Sequence, residues 1–158
     1  MKSLRTVLAT MLCAGALVTA TGGPAEAGQQ SQDGGSTVLV VNTFQSLGTL
    51  RCMDDSREYG FRTFPCNGGD WQKWDVHVFN DGTRRFQNKV TGECLYDGPA
   101  GFSTQRCDSS ENVSWYISRH HEVRLTFRNQ YTDRCIDDSD DSGFRTTRCN
   151  GGLYQDWV

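Results

Sequence analysis

Cys66-Asn67-Gly68-Gly69-Asp70-Trp71-Gln72-Lys73-Trp74 and Cys149-Asn150-Gly151-Gly152-Leu153-Tyr154-Gln155-Asp156-Trp157 are one nine-residue phrase written twice. Working outward from it reveals a third copy between the two. Cys66, Cys107 and Cys149 are spaced by 41 and 42 residues, and Trp74, Trp115 and Trp157 by the same 41 and 42. Upstream, Cys52, Cys94 and Cys135 are spaced by 42 and 41. Three independent markers share one period, so the chain is three copies of a unit of about forty residues.

The first and third copies agree in detail. Cys52-Met53-Asp54-Asp55-Ser56 matches Cys135-Ile136-Asp137-Asp138-Ser139, and Gly60-Phe61-Arg62-Thr63 matches Gly143-Phe144-Arg145-Thr146. The middle copy diverges, with Cys94-Leu95-Tyr96-Asp97 and Asn112-Val113-Ser114-Trp115. Within a copy the pattern is β. Val123, Leu125 and Phe127 alternate with Arg124, Thr126 and Arg128, the period of a half-buried strand. Thr83 to Asn88 and Val38 to Val41 are its counterparts. One strand at each first cysteine, one ending at each second cysteine and one at each tryptophan make four per copy. Twelve short strands in three repeats predict an all-β protein, a β-trefoil with three pseudo-symmetric four-stranded repeats. Asn42 stands ten residues before Cys52, whereas Asn88 and Asn129 stand six before Cys94 and Cys135, which reads as a four-residue insertion in the first copy. One tryptophan per repeat at a threefold position reads as core.

The whole chain of 158 residues is 36% hydrophobic and 22% charged, enough apolar content for one packed domain. A net charge of −3 argues against binding a phosphate backbone, which needs a basic face, so nucleic acid is not an expected partner. No apolar run suits membrane insertion after processing. Lys2 and Arg5, an apolar stretch from about Val7 to Ala20, and Ala25-Glu26-Ala27 read as a signal peptide over 1–27, so the protein is expected to be secreted and extracellular. Residues 28–35 read as a flexible lead-in and 36–158 as the domain, with repeats at about 36–79, 80–120 and 121–158.

Cys13 would leave with the signal peptide, and six cysteines remain in an oxidising compartment. Six allow fifteen connectivities, and the period makes the local set simplest: Cys52–Cys66, Cys94–Cys107 and Cys135–Cys149. The absence of a Cys-x-x-Cys pair removes the usual zinc reading, and neither a metal nor a cofactor is expected. The acidic run Asp137 to Gly143 lacks the glycine and glutamate of a calcium loop and reads as a solvated turn. No two carboxylates are assigned to a hydrolytic cleft, and His77, His120 and His121 form no nucleophile–base pattern, so the protein is expected not to be an enzyme. Asn112-Val113-Ser114 is a glycosylation sequon on paper.

A local cysteine pair followed by a tryptophan, three times at this period, with Gln-x-Trp in the first and third copies and Val113-Ser114-Trp115 in the second, resembles the ricin B-type lectin family of β-trefoils over about residues 36–158. The phrases 66–74 and 149–157 are especially similar to small secreted actinobacterial trefoil lectins of the actinohivin type, which bind mannose-rich glycans. The resemblance implies a shallow sugar pocket on each repeat. A carboxylate accepts from two adjacent hydroxyls, an amide both donates and accepts, and an aromatic face covers the C–H side of the ring. Carried over, the first copy offers Asp54, Asn67 and Trp71, and the third offers Asp137, Asn150 and Tyr154. Phe64 matches the stacking aromatic of plant-type members, and its third-copy equivalent is Thr147. Gln72 and Gln155 match the motif glutamine that helps orient the site.

Arg62 and Arg145 stand where mannose-binding relatives have tyrosine, which implies a changed specificity or a preference for an acidic sugar. In the second copy Tyr96 replaces the carboxylate, Asp108 the asparagine and Val113 the glutamine, so that pocket is expected to be dead. The expected function is therefore non-catalytic carbohydrate binding through repeats one and three. The partners are glycans, with mannose- or galactose-type sugars both admitted, and the oligomeric state is open, a monomer being the simplest case. The alternative is a trefoil that binds a protein, as an inhibitor or a toxin-targeting subunit, with vestigial sugar pockets. The bland reading of Asp54-Asp55-Ser56 and Asn67-Gly68-Gly69 is turn chemistry alone.

Overall fold

Trp74, Trp115 and Trp157 are fully buried, and each donates its indole N–H to the carbonyl of the residue after the first cysteine of its own repeat: Met53 (3.3 Å), Leu95 (3.0 Å) and Ile136 (3.5 Å). A computed structural model describes residues 40–121 and 123–158. The expected signal peptide, Cys13, the expected lead-in and the Val38-Leu39 part of the expected first strand lie outside them. Eleven strands are formed among the described residues: β1 (Val40–Asn42), β2 (Arg51–Ser56), β3 (Gly60–Pro65), β4 (Trp74–Val78), β5 (Arg84–Asn88), β6 (Cys94–Gly98), β7 (Gly101–Gln105), β8 (Trp115–His120), β9 (Arg124–Asn129), β10 (Arg134–Ser139) and β11 (Gly143–Arg148). The strand expected at Trp157 is reduced to bridge pairings with Leu125 and Ser46.

Each first-cysteine strand folds back on its neighbour, giving the antiparallel hairpins β2–β3, β6–β7 and β10–β11. The other strands pair β1–β4, β4–β5, β5–β8 and β8–β9, also antiparallel. Val158 and Gln45 exchange backbone bonds of 2.8 and 2.9 Å, which brings the end of the chain back to its first repeat and closes a barrel without a free edge. A closed barrel joined to three hairpins is a β-trefoil.

The interior is threefold. Phe44, Phe86 and Phe127 meet edge-on with centroids 5.1 to 5.4 Å apart. A second triangle, Phe61, Phe102 and Phe144, brings the three hairpins together at 4.8 to 5.0 Å. The tryptophans stand against this second triangle at 6.0 to 6.2 Å. Such pairs contribute about 0.5–1.5 kcal/mol each beyond burial. The three local disulfides form as expected, each across a Cα separation of 5.0 Å. A loop of about fifteen residues closed this way stabilises by about 3 kcal/mol in the chain-entropy account.

The insertion read before Cys52 is not there. Ser46, not Asn42, occupies the place of Asn88 and Asn129. Ser46 Oγ accepts the amides of Gly48 and Thr49, as Asn88 Oδ1 accepts those of Val90 and Thr91 and Asn129 Oδ1 those of Tyr131 and Thr132. Phe44 aligns with Phe86 and Phe127 accordingly, and all three repeats run six residues from this turn to the cysteine. A hydroxyl does the work of the amide, which hid the equivalence. The acidic run of the third repeat is likewise not all turn: Asp137, Asp138 and Ser139 belong to β10 and are buried.

Asp138 and Asp97 seal seams between repeats. The Asp138 carboxylate accepts from Thr49 and Thr63 and from the Arg51 Nε and Nη2 at 3.3 and 3.0 Å. Asp97 accepts in the same way from Thr132, Thr146 and the Arg134 guanidinium. The third acid, Asp55, accepts only from Thr91 (2.5 Å) and Thr104 (3.2 Å), because Glu93 stands where the other seams have arginine. Burial, with Glu93 adding to it, raises the Asp55 carboxyl above the ordinary carboxylate value. Raised in the fold, this group favours the folded state while protonated and takes stability away as pH rises from the ordinary carboxylate value through the raised one.

Two glutamines fix the loops after the second cysteines. Gln72, fully buried, accepts from the Asn67 amide (2.9 Å) and donates to the Pro65 carbonyl (3.1 Å); Gln155 does the same for Asn150 (2.9 Å) and Arg148 (3.0 Å).

Glu93→Arg, combined with Arg57→Asp to reproduce the Asp140 that Arg51 also approaches at 3.7 Å, is expected to stabilise the protein at neutral pH. The gain is about 1–2 kcal/mol after allowing for the partly exposed guanidinium. It should shrink at acid pH, where Asp55 is protonated; urea unfolding at the two conditions measures it, and an unchanged midpoint at neutral pH would contradict this account of the seam. Gln155→Ala is expected to cost about 1–3 kcal/mol by the same measurement, since it strands the Asn150 amide and the Arg148 carbonyl and leaves a void.

Candidate functional site

The β2–β3 register places Asp54 directly opposite Arg62, and the two side chains join, Arg62 Nε donating to Asp54 Oδ1 at 3.2 Å. The Asp54 side chain is only 4% exposed, whereas that of Arg62 is 30% exposed. The guanidinium carbon lies 4.5 Å from the ring centre of Tyr59 and 4.3 Å from that of Phe64, two cation–π contacts that hold its plane in place. The Cys66–Gly69 turn presents Asn67, whose Oδ1 accepts the Gly69 amide at 2.8 Å, so its NH2 remains for another partner. A single 3-10 turn, Asp70–Gln72, delivers Trp71.

These side chains enclose a hollow of about 130 Å³ lined by Asp54, Ser56, Glu58, Tyr59, Arg62, Phe64, Asn67 and Trp71. Four of the five first-copy residues expected from sequence therefore meet at one place. Gln72 does not line it; it sits beneath, with both ends of its amide committed to backbone. Phe64 is present, but Arg62 lies against its ring. Asp54 is a strand residue, so turn formation is not its role.

The third repeat keeps the polar pair and loses the clasp. Arg145 Nε donates to Asp137 at 3.3 Å, and Asn150 Oδ1 accepts the Gly152 amide at 2.7 Å. Ser142 and Thr147 replace Tyr59 and Phe64, so Arg145 has no aromatic contact of this kind among the described residues, and its side chain is 46% exposed, against 30% for Arg62. Tyr154, carried by the turn Leu153–Gln155, lies on Gly48, where any side chain would collide with its ring. Gln155 is buried beneath, like Gln72.

The second repeat is filled from within. Tyr96 stands in place of Asp54 and Ser103 in place of Arg62, and the Tyr96 hydroxyl and Asn112 amide crowd over Gly98, where the other repeats have Ser56 and Ser139. Asn112 donates to the Asp97 carbonyl at 3.3 Å. Asp108 turns its carboxylate onto the Ser110 amide and hydroxyl, which, with Arg85 and Arg106 nearby, hold it below the ordinary range.

A carboxylate locked to a guanidinium offers acceptors and donors side by side, the complement of two adjacent hydroxyls, while cancelling most of its own charge. Glu58 in the first hollow adds a negative charge. Sequence reasoning did not reach Ser56, Glu58 and Tyr59. The signal was the hairpin register itself, since pairing Asp54 with Arg62 puts the intervening turn at the rim.

Comparison with known proteins agrees with the geometry. The profile of the ricin-type beta-trefoil lectin domain matches residues 36–157. Among solved structures, the designed threefold-symmetric protein ThreeFoil is similar at a TM-score of 0.68 and 15% identity, over 74% of this chain and 95% of that one. SeviL, solved bound to the asialo-GM1 saccharide, is similar at 0.65 and 9% identity, over 76% and 95%. The GlcNAcα1-4Gal-releasing endo-β-galactosidase from Clostridium perfringens is similar at 0.66 and 14% identity, over 75% of this chain but 31% of that one. Comparison with the curated proteins gave no match. At these identities the structures attest to the fold, and the profile, spanning most of the sequence, attests to the family: the chain belongs to the ricin-type beta-trefoil lectin domain family.

Proposed function

We propose that this protein is a secreted, non-catalytic lectin that binds glycans through the hollows of repeats one and three, with repeat two silent. The observation that carries the reading is the meeting of a buried acid, an amide and an indole around one hollow of about 130 Å³ in the first repeat, with the same acid–guanidinium pair and asparagine recurring in the third. On this reading Asp54, Asn67 and Trp71 contact sugar in the first hollow, and Asp137, Asn150 and Tyr154 in the third. Phe64 acts through Arg62, and Gln72 and Gln155 position the loops. The motif phrases 66–74 and 149–157 favour kinship with actinohivin-type lectins and a mannose-rich ligand, with galactose-type sugars the next choice.

The arginines alter the expectation of an acidic sugar. Arg62 and Arg145 are each already engaged by an aspartate, and Glu58 also lines the first hollow, so that hollow carries more negative than positive charge. A carboxylate on the ligand would meet repulsion, and a neutral polyol would not. A signal peptide over 1–27 accounts for the disulfides, and a monomer suffices, since both hollows belong to one chain.

A glycan array tests the proposal. Wild-type protein is expected to bind neutral glycans and to lose the signal in Asp54→Asn with Asp137→Asn. Each substitution should weaken its site by about ten- to a hundredfold, the equivalent of losing a hydrogen bond to a charged group. Retained binding in the double variant would contradict the site assignment. An array dark with wild type, joined to tight capture of a defined protein, would favour the protein-binding alternative.

A further inference from the structure

The repeats differ at one more place. Arg85, in β5 directly before Phe86, crosses to the loop after the second cysteine of its own repeat and donates from Nη1 to the Asp108 carbonyl at 3.2 Å. The equivalent in the third repeat, directly before Phe127, is Thr126. Too short to cross, it leaves a hollow of about 220 Å³ beside the loop after Cys149, lined among the described residues by His120, His121, Arg124, Thr126, Gly151 and Asp156.

The chemistry of that lining repeats the chemistry of the sugar sites. Arg124 Nη1 donates to Asp156 Oδ2 at 3.2 Å, another carboxylate–guanidinium pair, with the aspartate side chain 12% exposed and the arginine 41%. His120 and His121 add flat rings with polar nitrogens, and His121 is held in the left-handed backbone region at φ 46°. Gly151 follows Asn150 in sequence and Asp156 follows Gln155, so the loop that carries Asn150 and Tyr154, the residues proposed to hold sugar beside Asp137, also walls this hollow.

We infer that this hollow is a second subsite, which takes the next neutral sugar unit of a glycan whose first unit sits at Asp137. The inference rests on the lectin reading of the third repeat. It makes repeat three a reader of oligosaccharides. Repeat two, with Arg85 in the gap, has no such extension.

The test is calorimetric titration in an Asp54→Asn background, which silences the first repeat. The probes are methyl α-mannoside against mannotriose, and methyl β-galactoside against lactose. In one of the two series the oligosaccharide is expected to bind about tenfold tighter than its methyl glycoside. Thr126→Arg, which copies the filling seen at Arg85, should bring that ratio below about twofold while leaving the methyl glycoside affinity unchanged. His121→Gly, which suits its left-handed backbone and so preserves the fold, should reduce the ratio as well. Equal affinities within both series, or a ratio that survives both substitutions, overturns the subsite. Failure of every probe to bind overturns instead the lectin reading on which the subsite stands.

Discussion

The indole N–H bond made by each tryptophan joins the barrel to a hairpin, and the rest of the molecule depends on it. Trp74 donates to the carbonyl of Met53, and the next residue is Asp54; Trp157 donates to Ile136, and the next is Asp137. A buried indole left without an acceptor costs more than the bond contributes, so the hairpin must return to this carbonyl whenever the core is packed. That requirement sets the depth of the hairpin and with it the height at which the acid emerges. The same carbonyl on Leu95 is met by Trp115, yet there the next residue is Tyr96. Core and site are adjacent residues of one strand with separate constraints. The frame can hold three equivalent positions while the chemistry at each is free to change.

The molecule is informative where its repeats disagree. Triangles of phenylalanine and identical glutamine clamps show what the fold demands, because three copies keep it or find a substitute. Against that demand, Glu93 removes an arginine from one seam, Tyr96 and Asn112 close one pocket, and Thr126 opens a gap that Arg85 fills elsewhere. Glu93 leaves Asp55 buried without its guanidinium, a cost that the other contacts of the seam absorb. The remaining changes redistribute space and charge over the surface without touching the core, as expected where selection on binding acts on loops and rims of a fixed scaffold.

The fold was legible because a period is read without knowing any contact. Cysteines and tryptophans recurring at 41 and 42 residues named the repeats, their disulfides and their core at once. The register of the first repeat is hidden in the sequence because Ser46 stands where the other repeats have asparagine, and the turn needs only an oxygen that accepts two amides. Of the candidate site, the acid, amide and indole that line the first hollow were legible. Its clasp was not. That Arg62 folds back onto Asp54 and leans on Tyr59 and Phe64 follows from strand pairing across a turn of unknown shape, and Tyr59 has no counterpart in the other repeats to draw attention to it. Burial, similarly, separates Gln72 from its neighbour Trp71, although the motif presents both as site residues.

Two binding sites on one barrel have an energetic consequence under the proposed reading. Each is shallow, and its acid already has a guanidinium partner, so a sugar hydroxyl gains only the part of the carboxylate that the arginine leaves free. On that reading affinity per site is small, and for a neutral sugar it depends little on salt, since the ligand brings no charge to the site. Strength then has to come from engaging both sites on one glycan or one surface, with an effective concentration set by the barrel, which does not flex as a linker would. A pseudo-threefold frame with one position closed is well matched to ligands that branch or that cover a surface densely. An oligosaccharide subsite at repeat three would add selectivity at one of the two points of attachment without altering the geometry between them.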